Sequence, residues 1–118
     1  FTRKLATLSP HKNFKKLKVT TNTMDNFCKK RKIKKIDLLK IDVEGSELEV
    51  LEGCKKILNK TNLIHLEIFQ KKKNFTKIER KILKFLKSYN FHKIKEKNIW
   101  SVSIFSNLKG KDILFVKQ

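Results

Sequence analysis

Asp42, Glu44 and Glu47 crowd a short stretch of the chain, with Lys40 just before them and Glu67 in a later apolar segment. Five of the eleven acids fall between Asp42 and Glu52, in a chain whose formal charge is +19. Clustered carboxylates can take up or orient a proton, or gather a hard cation. Lys40 is close enough in sequence to pair with one of them. The segment from Ile36 to Gly53 opens as an apolar run and closes on an acid-headed, apolar-striped stretch. The acids therefore stand where a strand gives way to a helix. In open α/β sheets, ligands bind just beyond the carboxyl ends of the strands, and this junction is the first place to look for chemistry.

The elements that must position these residues can be read from apolar spacing. Ile36–Val43 is nearly continuous in apolar residues, as in strands covered on both faces, with Lys40 and Asp42 interrupting one side. A helix is predicted from about Glu44 to Leu58, where Leu48, Leu51, Cys54 and Leu58, joined by Val50 and Ile57, form a stripe. Glu44, Glu47 and Glu49 head it and Lys55, Lys56 and Lys60 close it, matching the helix dipole. Leu63–Phe69 is a second strand with Glu67 near its carboxyl end. A helix from Lys77 to about Tyr89 follows, with Thr76 and Glu79 spaced as a capping box and Ile78, Ile82, Phe85, Leu86 and Tyr89 on its inner face. Two late strands, around Ile99–Phe105 and Asp112–Val116, are close enough to form a hairpin. Upstream, Asp25 is placed to cap a brief helix over Asn26–Lys30, and residues 1–18 read as a basic loop or torn edge.

The 118 residues fit one domain with a modest core. No apolar run approaches the ~18 residues of a membrane span. Cys28 and Cys54 lie far apart and form no Cys-x-x-Cys pair, so a zinc site or disulfide framework is not indicated. A soluble protein of the cytoplasm is the expectation. The charge invites a reading as a basic module that binds nucleic acid or acidic glycans. Against it, the cations are almost all lysine, with Arg3, Arg31 and Arg80 the only arginines, whereas phosphate recognition favours the arginine fork. A lysine-rich solvated surface is the plainer explanation, and no specific nucleic-acid partner is expected.

Ile36-Asp37-Leu38-Leu39-Lys40-Ile41-Asp42-Val43-Glu44-Gly45-Ser46-Glu47 resembles the central signature of the FkbM family of S-adenosylmethionine-dependent methyltransferases. Thr23-Met24-Asp25-Asn26-Phe27, Leu63-Ile64-His65-Leu66-Glu67 and Asp112-Ile113-Leu114-Phe115-Val116 are similar to further family segments. The resemblance implies an α/β fold: the C-terminal half of a class I, Rossmann-like sheet, with parallel strands followed by an antiparallel hairpin. Residues 19–118 would hold its strands four to seven, in a single partial domain over 1–118. The glycine-rich cofactor turn of that fold has no counterpart, since Gly45, Gly53 and Gly110 are the only glycines. The chain therefore reads as a fragment, expected to bind cofactor poorly alone and to self-associate through an exposed sheet edge.

The implied reaction is methyl transfer to a hydroxyl of a sugar, glycolipid or natural product, with S-adenosylmethionine as cofactor. Asp42 or Glu44 is the implied catalytic base or hydroxyl-orienting acid, and Lys40 would pair with Asp42 or steer the substrate. Asp42 could also touch the cofactor's methionine end, with Glu67 and Glu47 as substrate contacts. Plainer roles stand beside each of these. Glu44 and Glu47 could answer unpaired amides at a helix start, Lys40–Asp42 could be a structural ion pair, and His65 reads as an interior or face residue of its strand. Two acids without a third ligand do not make a metal site.

Overall fold

The computed structural model describes residues 19–99 and 108–118. The expected loop over residues 1–18, Trp100 and most of the strand placed around it lie outside these residues. In chain order the elements are α1 (Met24–Arg31), β1 (Ile36–Asp42), α2 (Glu47–Glu52), a 3-10 turn (Ile57–Lys60), β2 (Thr61–Lys71), α3 (Lys72–Lys87), β3 (Phe91–Ile99) and β4 (Leu108–Lys117). The four strands form one mixed sheet in the order β1-β2-β4-β3. β1 and β2 are parallel, whereas β4 runs antiparallel to both β2 and β3. The fold is thus α/β with a closing antiparallel pair. β1 lies at one edge of this sheet.

Alternation in the three inner-packing strands builds the core. Leu39 and Ile41 of β1, Ile64, Leu66 and Ile68 of β2, and Ile113 and Phe115 of β4 are all buried on one face. Because successive side chains point to opposite faces, these residues meet a single layer of helical segments. Leu51, Cys54, Ile57 and Leu58 cover them from α2 and the 3-10 turn, and Phe75, Ile82 and Leu86 from α3. The opposite face of β1 is open, with Leu38 55% exposed. The expectation that β1 is covered on both faces is therefore not met among the described residues.

The apolar stripe after β1 is buried as expected, but it does not belong to one helix. Glu44 and Gly45 both take positive φ, 48° and 106°, which keeps them out of the helix, so α2 starts only at Glu47. It ends at Gly53, whose missing side chain allows close approach to Thr23: a Cβ there would lie 3.3 Å from the Val50 carbonyl oxygen and 3.5 Å from Thr23 Cβ. Asp25 then redirects the chain. Its carboxylate accepts hydrogen bonds from the backbone N–H of Lys56 (2.9 Å) and Ile57 (2.9 Å), and its own amide donates to the Gly53 carbonyl (3.0 Å). The cap of α1 is Thr23, whose hydroxyl accepts from the Asn26 amide (3.2 Å). Asp25 thus ties α1 to a turn some thirty residues downstream instead of capping its own helix.

Two further boundaries differ from the sequence reading. α3 begins at Lys72, so Thr76 is interior to the helix and no capping box forms there. Glu79 instead binds Lys111 of β4 at 2.6 Å. β3 spans Phe91–Ile99, ahead of the stretch predicted from apolar content. Register jumps between Lys93 and Lys95, leaving Ile94 as an extra, 57% exposed residue. This bulge resets the alternation, so that both Phe91 and Glu96 point to the helical layer. There Glu96 pairs with Lys111 (2.8 Å) and Lys93 (2.6 Å), closing a network that joins α3, β3 and β4.

The hydrogen bonds from Lys111 and Lys93 pull the Glu96 carboxyl down to about 2. A carboxyl lowered on folding stabilises above its unfolded value and loses that contribution as pH falls through its folded one. An unfolding series in urea is expected to show stability declining between the ordinary glutamate range and pH ~2, with E96Q flattening that limb. In the same assay at neutral pH, D25A is expected to cost about 2 kcal/mol, because two backbone amides lose a charged acceptor.

Candidate active site

The carboxyl end of β1 carries an ion pair, Lys40 Nζ to Asp42 Oδ2 at 3.3 Å, with both side chains roughly half exposed. Beyond it the backbone turns sharply through Glu44 and Gly45. The turn is fastened from within: the Gly45 amide donates to Glu47 Oε1 at 2.6 Å, and the Glu47 side chain is fully buried. Glu47 therefore shapes the turn and is not presented to a substrate as the sequence reading had it. Glu44 is exposed at the turn's apex. A non-glycine residue in the left-handed region costs about 1–2 kcal/mol, so the turn is held by its anchors and not by local preference.

The strand register extends this site across the sheet's open face. Asp42 of β1 lies opposite Glu67 of β2, Glu67 lies opposite Asp112 of β4, and Asp112 lies opposite Lys97 of β3. One step back toward the strand β1 amino end, Lys40, His65, Leu114 and Lys95 are aligned in the same way. Three carboxylates thus occupy one row, at a cross-strand spacing of roughly 5 Å, with three lysines and an imidazole around them. His65 Nε2 meets Asp112 Oδ1 at 2.9 Å. Glu67, set between the other two acids, has its carboxyl pushed up by burial, then by Asp42 and by Asp112, with Lys40 and His65 pulling the other way.

The structure brings Lys40, Asp42 and Glu67 together, keeps Glu44 at the adjoining turn and removes Glu47 to the interior. It adds Asp112 and gives His65 a partner. The signal for that pair was present, since strand alternation puts His65 and Glu67 on one face. The pairing with Asp112, however, depends on the register between β2 and β4, which no local pattern encodes. Among the described residues, no group of three or more His, Cys, Asp or Glu side chains could hold a metal ion. No helix among them is long and apolar enough to cross a membrane. An open groove of about 910 Å³ lies elsewhere, lined by residues including Thr21, Thr23, Glu49 and Gly53, and it carries none of these candidates.

Comparison with known proteins favours a methyltransferase over a basic binding module. The sequence matches the family described as Methyltransferase FkbM domain over residues 2–93. It is 37% identical over 51 residues to the 2-O-methyltransferase NoeI of Sinorhizobium fredii (strain NBRC 101917 / NGR234), an alignment covering 43% of this chain and 21% of the relative. The chain thus matches about a fifth of the length of that curated relative. No solved structure matches.

An acid raised on folding destabilises the native state once it ionises, so stability falls as pH climbs through the window. E67Q removes the charge between Asp42 and Asp112. It is expected to melt above the wild type near neutral pH, and the gap should close as the pH is lowered and Glu67 takes a proton. An equal melting temperature at both pH values would show that the three carboxylates do not interact.

Proposed function

Because the chain belongs to the FkbM methyltransferase family, we propose that it forms the acceptor-side portion of an S-adenosylmethionine-dependent O-methyltransferase. The observation that carries this reading is the Lys40–Asp42 pair at the end of β1, aligned with Glu67 on β2. The name of the NoeI relative supports oxygen as the accepting atom, and a hydroxyl on a sugar, glycolipid or natural product is the acceptor class proposed here. The sheet order, with β4 antiparallel between β2 and β3, supports reading β1, β2, β3 and β4 as the fourth, fifth, sixth and seventh strands of a class I methyltransferase sheet. Cys28 and Cys54 are both free and buried, in keeping with a cytoplasmic protein.

The residues present fit one end of the cofactor. Asp42, an exposed carboxylate at a strand's carboxyl end, would hold its ammonium, while the described residues include no Gly-x-Gly turn for its nucleoside. When bound, the cofactor supplies an activated methyl group. This chain's part is to hold the accepting hydroxyl in line with that methyl, an arrangement worth several kcal/mol of barrier when geometry is right. Asp42 and Glu44, on either side of Val43, are placed to accept a hydrogen bond from the hydroxyl. Glu67, next to Asp42 across the strands, would bind a second polar group of the substrate. Lys40 holds Asp42 in place through their ion pair.

The test is methyl transfer from radiolabelled S-adenosylmethionine to a panel of sugars and glycolipids, using protein expressed from its complete gene. D42N is expected to lower kcat by at least about 10-fold, within the range for loss of a positioned acid or base, and K40M by less. Wild-type turnover in D42N would take Asp42 out of the reaction. Absence of transfer with steep, salt-dependent binding to nucleic acid would favour the basic module instead.

A further inference from the structure

On the same open face of the sheet, and resting on the methyltransferase reading, we propose that His65 is the catalytic base and that Asp112 is its positioning residue. The pair is built across two strands that are 47 residues apart in sequence, at 2.9 Å. A carboxylate can only accept, so in the neutral imidazole Nε2 carries the hydrogen and Nδ1 keeps its lone pair. Asp112 therefore fixes the tautomer and the ring's orientation and compensates the charge that forms when Nδ1 takes a proton. Both side chains are about one-third exposed, 35% and 34%, so the imidazole is neither buried in the core nor free in solvent.

The neighbours explain why this group, among those present, is suited to take the proton. Asp42 already has Lys40 at 3.3 Å, so it is better suited to hold a hydroxyl than to deprotonate it. Imidazole is the side chain whose ordinary titration lies nearest neutrality, which is what general-base catalysis requires. The charged groups that face His65 come from every strand of the sheet: Lys40 and Asp42 of β1, Glu67 of β2, Asp112 of β4, and Lys95 and Lys97 of β3. Lys40 is level with His65, and Asp42 is one row beyond, so a hydroxyl resting on Asp42 is within a side chain's reach of the ring. In the step itself, a lone pair of the hydroxyl oxygen forms the new bond to the methyl carbon. The carbon–sulfur bond breaks with its electron pair remaining on sulfur, which loses its positive charge. The hydroxyl proton passes to Nδ1 of His65.

Two measurements test this. The first needs no turnover: imidazole nitrogen shifts recorded by NMR are expected to show the Nε2–H tautomer in wild type and a mixture of tautomers in D112N. The same mixture in both would overturn the pairing. The second uses protein from the complete gene with its methyl donor and an accepted hydroxyl substrate. H65Q is expected to lower kcat by about 100-fold, with KM for the donor unchanged, and to remove the limb of the pH profile on which the base loses its proton. D112N is expected to lower kcat by about 10-fold while retaining that limb. An active wild type with H65Q at full rate would overturn His65 alone. A wild type that transfers no methyl group to any acceptor would overturn the methyltransferase reading, and this assignment with it.

Discussion

The structure depends on one register being kept across three strands. Ile64 must lie opposite Leu39 and Phe115, and Leu66 opposite Ile41 and Ile113, for the buried residues to form one continuous surface under the helices. A slip of a single residue turns every side chain of a strand to the other face. It would lift Ile64, Leu66 and Ile68 into solvent and drive His65 and Glu67 into the core, a change that burial energies of roughly 1.5–3 kcal/mol per large apolar side chain forbid. The core therefore does more than hold the sheet together: it fixes which charged groups meet on the other side. The row of Asp42, Glu67 and Asp112 is a consequence of how Ile41, Leu66 and Ile113 pack.

Charge on that outer face is balanced locally, although the chain as a whole is strongly basic. Lys40 pairs with Asp42 and the His65 ring hydrogen-bonds to Asp112, while Glu67 is left between two acids with its carboxyl pushed up. Ionised carboxylates on neighbouring strands repel, and cross-strand like charges ordinarily weaken a sheet. Here they persist beside a turn in which Glu44 holds a left-handed conformation and a buried carboxylate accepts from a glycine amide. Local cost gathered at one end of a sheet is the pattern expected where structure serves chemistry.

Much of this arrangement was legible in the residues. The presence of β1 and β2, the burial of Leu51, Cys54, Ile57 and Leu58, and the junction that bears Asp42 and Glu44 follow from spacing alone, whereas the one-sided burial of β1 does not. What spacing did not convey were interactions between distant segments. Asp25 looks like a cap for the helix that contains it, but its acceptors are used on Lys56 and Ile57, and that is why the predicted long helix breaks at Gly53. Glu79 looks like a capping-box acid and is instead an ion-pair partner for Lys111. β3 was missed because Phe-His-Lys-Ile-Lys-Glu-Lys-Asn-Ile carries few apolar residues and, with an extra residue inside it, no clean period of two. The Lys117 ammonium sits over the Phe91 ring at 5.0 Å and donates to the Leu58 carbonyl, a covering of apolar surface by a cation that is invisible to a hydropathy pattern.

The bulge at Ile94 lets β3 carry one residue more than its partner strand without disturbing the pairing on either side. Upstream of it, Phe91 points to the helical layer and His92 away; downstream, Glu96 points to that layer and Lys97 toward Asp112. A substitution at Ile94 alters one exposed side chain, and its deletion would leave Lys93, Lys95 and Glu96 opposite Phe115, Leu114 and Ile113 as consecutive residues of a regular strand. Glu96 would keep its side of the sheet, beside Lys111, and Lys97 would stay opposite Asp112. At this site the chain can vary both in what residue it carries and in whether it carries one, because β4 sets the register on either side.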